Sequence, residues 1–472
     1  MTVIFDNKKT FEYQIPVVVI GAGACGLCAA LAVKEMGTEV IVLERDSTPL
    51  GTTAMSTGLI PGANTKLQKA AGIEDSIELF TNDIIKKSKH QTDPDIAHTL
   101  ATESAHTIEW LIEKYDIPLS LVDSFLYPGH SVMRMHGTPN RTGNELMGSL
   151  CNAAEKAEID ILTNSLVTDL YSDEENKVIG VKITREDGTS EDIGCDALIL
   201  ACCGFAGNPD MLEEFIPEIK DAVFFGHPGN KGDAIKWGKL LGADLADISS
   251  FQGHGGLAVG RGVPILWPMI MEGAFQINNL GERFSDESLG YSEQAVKVVA
   301  QPEKYVWNIF DQRLHDLMKE FEDYNNAIEA NAIIRAEDLD ELSAVINIDK
   351  EILEQTVQSV EKMVSGNLDD PFGRDFTGKE PLKAPYYTVK VTGALFHTQG
   401  GLVVNSSARV LNKERQKLPN LFAGGGSARG ISGPSDWGYM AGNGLLTATT
   451  FGRLAGRSAS ELLKKDINSE NI

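Results

Sequence analysis

The stretch Val17-Val18-Val19-Ile20-Gly21-Ala22-Gly23-Ala24-Cys25-Gly26 decides the fold of this chain. Its β-branched run predicts a short strand that is buried on both faces. The run leads into glycines with the spacing G-x-G-x-x-G, and an apolar helix pattern follows from Leu27 to Met36 and ends at Gly37. A second apolar run, Val40 to Leu43, predicts another buried strand, and Glu44 stands directly after it. This order of elements predicts a Rossmann-like α/β unit.

Each part of this unit has a role in binding a dinucleotide. Gly21 allows the tight turn, Gly23 lets backbone N–H groups approach a pyrophosphate, and Gly26 lets the helix pack closely on the strand. The N-terminus of the helix adds partial positive charge beside the pyrophosphate. Glu44 follows Gly26 by 18 residues and can accept hydrogen bonds from ribose hydroxyls. A glycine-rich turn in an unrelated α/β protein would not explain this acid, so we expect dinucleotide binding.

Three further segments identify the dinucleotide as FAD. The loop from Gly51 to Gly58 is small and rich in hydroxyl groups, and FAD enzymes place such a loop against the pyrophosphate and flavin. Two later strand patterns, Ala197–Phe205 and Leu418–Gly426, also end in glycine turns. Glycine-capped strands spread over the whole chain predict one FAD domain interrupted by an insertion. The sequence has no second strand–glycine–helix unit, so a separate NAD(P)H domain is not expected.

Charge and cysteine content exclude several classes of function. The 472 residues carry 42 Lys and Arg against 67 Asp and Glu, for a formal net charge of −25, which disfavours nucleic acid and anionic membranes as partners. Six cysteines in a chain of this length do not make a disulfide framework. Glycines interrupt the apolar stretch from Ile15 to Val33, so neither a signal peptide nor membrane insertion is expected. We therefore expect a cytoplasmic protein.

The chain resembles the fumarate reductase/succinate dehydrogenase flavoprotein superfamily, in particular the soluble fumarate reductases and the 3-ketosteroid dehydrogenases. Besides the segments above, the resemblance rests on Gly232-Asp233, Asn279–Phe284, Pro385–Val391, Thr398–Gly401 and Gly442–Leu446. It implies an α/β fold in which a Rossmann-like FAD-binding domain, residues 1–253 and 398–472, is split by an inserted α+β capping domain, residues 254–397, that binds substrate. A helical pattern in Gln301–Asn367, with Ile352, Val357, Val360 and Val364 on one face, predicts a largely helical second half of the cap.

The resemblance also implies the cofactor site. The residues expected to bind FAD are Gly21, Gly23, Ala24, Gly26, Glu44, Arg45, Thr52, Thr53, Gly58, Val167, Gly204, Asp233, Gly425, Asn443, Leu445 and Leu446. The Gly51–Gly58 loop lacks a histidine, so the FAD is expected to be non-covalent. We expect no metal, because haem-attachment and iron–sulfur cysteine spacings are absent. An external electron donor or acceptor is therefore required.

Two histidines and two tyrosines are the expected substrate residues. Matched by motif, His254 and His397 fall on the two histidines with which fumarate reductases hold a dicarboxylate. Tyr291 and Tyr439 stand where those enzymes have a proton-donating and a carboxylate-binding arginine. Without both guanidiniums the bidentate clamp for paired carboxylates is missing.

Tyrosines at both positions are similar to the 3-ketosteroid dehydrogenases. That resemblance implies that Tyr291 is the acid/base, while Tyr439 and the Asn443 amide hold a ketone oxygen. The leading hypothesis is thus an FAD-dependent oxidoreductase acting on a CH–CH or C=C bond beside a ketone, with a steroid or another cyclic enone as substrate. Hydride would pass to or from flavin N5. If they line the substrate cleft, Trp267, Met269, Met271 and Phe275 would favour such a bulky ring system.

Two alternatives remain open. One is a fumarate reductase-like reductase of an unsaturated monocarboxylate, whose carboxylate His254 and His397 would bind. The other is a non-catalytic flavin-binding electron-relay protein, in which the tyrosines are packing residues with satisfied hydroxyls.

Overall fold

A computed structural model describes residues 1–185 and 187–470, with the backbone alone for 466–470. The chain forms two compact units. The first comprises Met1–Met211, Gly226–Phe251 and His397–Ile472, and the second comprises Leu212–Phe225 and Gln252–Phe396. The second unit thus takes in Leu212–Phe225 as well as residues 254–396 of the segment that the sequence assigns to the cap, whereas His397 belongs to the first unit.

The strands, in chain order, are β1 (Thr2–Phe5), β2 (Tyr13–Ile20), β3 (Val40–Leu43), β4 (Ile60–Pro61), β5 (Ser120–Val122), β6 (Met135–Gly137), β7 (Asp160–Leu162), β8 (Leu166–Ser172), β9 (Val178–Thr184), β10 (Ser190–Leu200), β11 (Val223–Phe224), β12 (Leu245–Ala246), β13 (Phe251–Ala258), β14 (Phe275–Ile277), β15 (Tyr305–Asp311), β16 (Ile334–Ala336), β17 (Tyr386–Thr398), β18 (Gly401–Leu402), β19 (Arg409–Leu411) and β20 (Lys417–Ala423).

The helices are α1 (Ala24–Glu35), α2 (Gly51–Ala54), α3 (Lys66–Ala70), α4 (Ile77–Lys87), α5 (Pro94–Tyr115), α6 (Gly143–Lys156), α7 (Pro209–Phe215), α8 (Asp233–Leu240), α9 (Pro268–Met271), α10 (Tyr291–Val299), α11 (Gln312–Met318), α12 (Glu322–Glu329), α13 (Leu339–Ile346), α14 (Lys350–Val364) and α15 (Asn443–Glu470). Short 3-10 turns cover Pro217–Ile219, Glu287–Leu289, Pro302–Lys304, Gly425–Ser427 and Asp436–Gly438.

The main sheet of the first unit is built around β10. Its strand order is β1-β8-β9-β10-β2-β3-β7, and β20 pairs with β10 as well. Strands β2, β3, β7 and β20 continue the sheet in parallel, whereas β8, β9 and β10 form an antiparallel meander. Val17, Val18 and Val19 on β2 are fully buried, as expected for a strand with both faces covered. The predicted α/β fold with its Rossmann-like core is confirmed.

Helix α15 lies against α1 because two of its residues have no side chain. A Cβ on Gly452 would lie 2.3 Å from the Cys25 carbonyl oxygen, and one on Gly456 would lie 2.2 Å from the Ala29 carbonyl oxygen. Glycine at both positions lets the two backbones approach. This packing holds α1 against α15 of the same unit. The first turn of α1 belongs to the Gly21–Gly26 glycine turn, so the packing also supports that turn.

The second unit has its own sheet and its own core. Strand β17 is the centre of the order β11-β17-β15-β14, and β13 and β16 also pair with it. The segment from Gln301 to Asn367 is less helical than predicted, since β15 and β16 lie inside it. The run Tyr305–Asp311 is rich in aromatic and β-branched residues and pairs on both sides, with β14 and β17.

On α14 the predicted apolar face is partly correct. Val357 and Val360 are buried in the core of the second unit, and Val364 packs against that core from its edge, whereas Ile352 is exposed. Among residues 1–185 and 187–470, no helix is long and apolar enough to cross a membrane.

Candidate active site

A cleft of about 850 Å³ lies at the carboxyl ends of the parallel strands in the first unit. It is lined by the ends of β2, β3 and β10, by α1 and α2, and by the turn that follows β20. Ligands of open α/β sheets bind at this edge, outside the carboxyl ends of the strands.

The glycines of the first turn have separate structural reasons. Gly21 has φ of +102°, and a Cβ there would lie 2.6 Å from the Ala201 carbonyl oxygen. A Cβ on Gly26 would lie only 1.8 Å from the Gly21 carbonyl oxygen, so this glycine allows helix and strand to pack. At Gly23, by contrast, a Cβ would meet only the Thr53 hydroxyl at 3.6 Å. Gly23 therefore faces open space at the N-terminus of α1, where a pyrophosphate needs room.

Backbone amides hold the two polar side chains next to this turn. Glu44 is buried at the end of β3, and its carboxylate accepts hydrogen bonds from the N–H groups of Ala22 (2.8 Å) and Asp46 (3.0 Å). The Thr53 hydroxyl accepts from the Ala24 N–H at 3.2 Å. These contacts fix the acid at the position that the fingerprint requires and hold the threonine of the Gly51–Gly58 loop beside the first turn of α1.

The other side of the cleft contains residues that sequence reasoning missed. Asn230 donates from its side-chain amide to the Thr52 hydroxyl at 3.0 Å. Arg45 donates to the Gly229 carbonyl at 3.1 Å, and the His227 ring lies 2.7 Å from the Asp46 carboxylate. His227, Gly229 and Asn230 precede the noted Gly232-Asp233 pair, which was the only signal available for this loop.

Most of the predicted cofactor residues meet in the cleft. Those that line it are Gly21, Gly23, Ala24, Glu44, Arg45, Thr52, Thr53, Val167, Asp233 and Gly425. Those that do not line it are Gly26, Gly58, Gly204, Asn443, Leu445 and Leu446. Gly58 and Gly204 instead allow close backbone packing, against the Thr142 carbonyl oxygen and the Thr398 hydroxyl respectively.

The donor set and shape of this cleft fit FAD. The open space at Gly23 suits a pyrophosphate, and the Glu44 carboxylate stands where a ribose would bind. The thiols of Cys25, Cys202 and Cys203 also reach the cleft, but burial raises the pKa of each. These cysteines are free thiols. A buried, protonated thiol is unreactive and serves here as small apolar lining.

In the second unit, three aromatic side chains surround His254. Its ring stacks on Phe396 (5.4 Å, 7°) and on Tyr291 (5.3 Å, 27°), and Trp267 meets it edge-on at 5.7 Å. Burial lowers the pKa of His254 to about 4, so the ring is neutral at pH 7. Its Nδ1 accepts the Gly256 N–H at 3.1 Å, which places the proton on Nε2.

A glycine on β13, Gly253, lets the strand that carries His254 lie close to the helix that begins at Tyr291. Tyr291 opens α10, and the Gly253 N–H donates to the neighbouring Ser292 hydroxyl at 2.9 Å. A Cβ on Gly253 would lie 2.6 Å from the Ala295 Cβ, so only glycine lets β13 lie so close to α10. Four apolar residues were considered for a substrate cleft. Trp267, Met269 and Phe275 belong to the core of the second unit, and Met271 packs against the edge of that core. Of the four, Trp267 also contacts the His254 ring.

In the first unit, His397 lies beside Tyr439. Their rings meet edge-on at 5.8 Å, and burial lowers the pKa of His397 to about 4. Burial raises the pKa of Tyr439 well above its usual value, with a smaller opposing effect from a hydrogen bond to the Gly444 backbone. Tyr439 is therefore a protonated phenol at neutral pH.

The Asn443 amide, predicted to hold a ketone oxygen, has a hydrogen-bond partner within the chain. Its N–H donates to the Met440 carbonyl at 3.1 Å, and the backbone amide that interacts with Tyr439 is that of Gly444. The reason is the turn into α15, which directs the Asn443 N–H back along the chain. If a backbone amide assists Tyr439, the geometry favours Gly444 over Asn443.

A buried ion network supports the loop that carries Tyr439. Arg134 pairs with Asp75 (2.9 Å) and Asp83 (2.5 Å), and its guanidinium lies 3.3 Å from His130 Nδ1. The other ring nitrogen of His130 bonds the Ala441 carbonyl at 2.9 Å. The arginine is thus committed to its carboxylates, and the histidine anchors the 439–443 loop.

No buried arginine is left to clamp a carboxylate among the residues described. In those residues, the buried arginines are Arg134 and Arg374, and Arg374 pairs with Glu287 at 3.0 Å. Both arginines are therefore committed to carboxylates, while burial keeps His254 and His397 neutral and Tyr439 protonated. The described residues also contain no cluster of three or more His, Cys, Asp or Glu that could hold a metal ion.

The buried histidines make the fold acid-sensitive. Burial lowers the pKa of His130, His136 and His254 from 6.5 to about 4. Between pH 6.5 and pH 4 the unfolded chain therefore binds protons that the folded chain does not. The unfolding free energy has its highest value above pH 6.5 as far as these histidines are concerned, and it falls as the pH drops toward 4. The loss reaches about 3 kcal/mol per histidine.

Thermal unfolding at pH 5 and pH 7.5 measures this effect. We expect a lower midpoint at pH 5 and a smaller difference in His136→Asn. The exposed His106→Asn is the control and should retain the full pH dependence. Equal midpoints at the two pH values would contradict the prediction.

The fold and cleft define a flavin-binding oxidoreductase of the α/β class. The chain belongs to the FAD binding domain family, which matches residues 16–445. It is 29% identical over 449 residues to a probable fumarate reductase of Shewanella frigidimarina, covering 94% of this chain and 74% of the relative. It is 28% identical over 472 residues to the urocanate reductase of Eggerthella lenta, covering 95% and 75%.

Solved structures agree with this assignment. The open conformation of a flavocytochrome c3 fumarate reductase superposes with a TM-score of 0.82 at 28% identity, covering 96% of this chain and 79% of that chain. A 3-ketosteroid-Δ4-(5α)-dehydrogenase from Rhodococcus jostii RHA1 superposes with a TM-score of 0.76 at 22% identity, covering 96% and 98%, and shares the fold. The predicted superfamily and the FAD cofactor are confirmed, and the chain is an FAD-dependent oxidoreductase.

Proposed function

We propose that this protein reduces a carbon–carbon double bond conjugated to a carboxylate or similar carbonyl, in an acceptor with at most one negative charge. The relatives named fumarate and urocanate reductase support the carboxylate alternative more than the ketone-directed leading hypothesis. The observation that carries the charge limit is the chemistry of the candidate residues taken one by one: His254 and His397 are neutral, and tyrosines stand at the two positions where fumarate reductases have arginines. The buried arginines Arg134 and Arg374 are paired with carboxylates.

The chemistry requires a hydride at the β-carbon, a proton at the α-carbon and stabilisation of charge on the carbonyl oxygen. FAD held in the cleft by Gly23, Glu44 and Thr53 would, once reduced by an external electron donor, supply the hydride. We assign the proton to the Tyr291 hydroxyl and the oxygen to neutral donors, His254, His397 and Tyr439. N–H and O–H donors stabilise developing enolate charge, but they lack the bidentate fit of guanidinium to a second carboxylate.

A competition between acceptors tests this proposal. Anaerobic holoenzyme reduced with a viologen dye is mixed with crotonate, urocanate, fumarate or a 3-keto-4-ene steroid, and dye reoxidation is followed. We expect an unsaturated monocarboxylate to give kcat/KM at least tenfold above fumarate. The reason is that tyrosines stand where guanidinium groups would bind the second carboxylate of the fumarate dianion. Fumarate as the best acceptor would refute the charge limit.

A second candidate, dehydrogenation beside a ketone, is favoured by one observation. Tyr439 is a buried phenol that keeps its proton at neutral pH, and its O–H could hold a ketone oxygen. Reduction of an artificial acceptor by a saturated 3-ketosteroid, with no turnover of any unsaturated acid, would establish this candidate and exclude the first.

A further inference from the structure

Three buried side chains of the first unit form a chain of hydrogen bonds that ends at His397. The Asn443 side-chain amide lies 3.2 Å from the Ser432 hydroxyl, which lies 3.0 Å from the Gln399 carbonyl oxygen. The Gln399 amide nitrogen lies 3.0 Å from Nδ1 of His397. Gln399, Ser432 and Asn443 are at most 4% exposed, so water does not compete for these groups.

The chain has a direction. The amide N–H of Asn443 donates to Ser432, the Ser432 hydroxyl donates to Gln399, and the Gln399 amide donates to His397. In this direction, the side-chain carbonyl oxygen (Oδ1) of Asn443 is the one polar atom of the three side chains that has no partner among the described residues. The reverse direction would leave an N–H of Asn443 unpaired instead. A buried N–H without a partner is rarer than a buried carbonyl without one, which favours the direction seen.

This direction selects between the two neutral forms of His397. Nδ1 has a second neighbour, the Thr398 carbonyl at 3.3 Å, which would favour the form with the proton on Nδ1. An amide donor from Gln399 requires an unprotonated Nδ1 and hence a proton on Nε2. The Nε2 edge faces the first turn of α15, where a Cβ on Gly444 would lie 2.9 Å away.

We propose that Gln399, oriented by Ser432, is a positioning residue that holds His397 in its Nε2–H form, so that this histidine donates to the acceptor's carbonyl oxygen. The part that concerns the acceptor rests on the proposed function, whereas the form of the ring does not. In the opposite form, Nε2 would present a lone pair and repel a carbonyl or carboxylate oxygen. His254 reaches the same Nε2–H form by a separate route, through the Gly256 amide.

Two-bond ¹H–¹⁵N spectra of holoenzyme with ¹⁵N-labelled histidine test the proposal, with the His397 signals assigned by their loss in His397→Asn. We expect protonated Nε2 in the natural protein. In Gln399→Met, which keeps the side-chain length, the Thr398 carbonyl is the remaining partner and the Nδ1–H form should appear. Ser432→Ala should produce a mixture of both forms, while Ser460→Ala, another buried serine of this unit, should change nothing.

Kinetics separate this inference from the proposed function. Together with the change of form, kcat/KM for the best acceptor should fall about tenfold in Gln399→Met, the worth of one hydrogen bond to a charged group. An unchanged Nε2–H form in Gln399→Met would overturn the proposal, whether or not an acceptor is known. A change of form with unchanged kcat/KM would overturn the assignment of His397 as a donor to the acceptor.

Discussion

Tyr291→Phe is expected to lower kcat for reduction of the double bond by 10²- to 10⁴-fold, the usual contribution of a general acid. Phenylalanine keeps the ring that stacks on His254 and packs against Trp267, so the fold and the histidine environment should persist. The substitution removes only the hydroxyl group, and with it the proton that we assign to the α-carbon. Single-turnover reoxidation of reduced enzyme, with FAD content measured by absorbance, reports this step directly.

The matched control is Tyr386→Phe, which removes a hydroxyl from a buried tyrosine in the core of the same unit. It should leave single-turnover rates within about twofold of the natural protein, since a core hydroxyl contributes to stability rather than to proton transfer. If Tyr291→Phe reduced its acceptor as fast as the control, Tyr291 would not be the acid. A loss of FAD or a shifted flavin spectrum in the variant would instead indicate a structural role.

Gly26→Ala is expected to abolish FAD binding by disrupting the turn between β2 and α1. The added Cβ would lie 1.8 Å from the Gly21 carbonyl oxygen and 3.3 Å from a Val19 methyl group. Because the first of these atoms belongs to the backbone, the helix must move away from the strand. We expect a loss of about 3 kcal/mol or more in unfolding free energy, measured by thermal unfolding together with the FAD-to-protein ratio.

Two other glycine variants make this result specific. Gly148→Ala lies on the exposed face of α6, where a Cβ meets nothing within 4 Å, and should stabilise the helix by about 0.5–1 kcal/mol. Gly23→Ala meets only the Thr53 hydroxyl at 3.6 Å, so the apoprotein should fold normally and bind FAD weakly. Normal FAD content in Gly26→Ala would show that the turn relaxes without cost.

The cofactor site was largely predictable from the sequence, whereas the substrate residues were predicted only as candidates. The fingerprint from Val17 to Glu44 specifies a local turn, and the structure places Gly21, Gly23 and Glu44 in one cleft. Asn230 and His227 reach the same cleft from a distant loop, where the Gly232-Asp233 pair marks the segment but does not single out either residue. Motif matching named His254, Tyr291, His397 and Tyr439, and it could not show that the Asn443 amide, predicted to hold a ketone oxygen, donates to the Met440 carbonyl.

The FAD-binding α/β fold follows from the sequence alone, because the steric requirements of a glycine turn and a buried parallel strand are met by residues adjacent in the chain. The chemical state of the histidines depends instead on tertiary contacts. His254 is neutral because Phe396, Trp267 and Tyr291 exclude water from it. In our proposal the Gln399 amide, oriented by Ser432, donates to Nδ1 of His397 and so leaves the ring proton on Nε2. Such partners are selected by distance and burial after folding, and no spacing along the chain encodes either quantity.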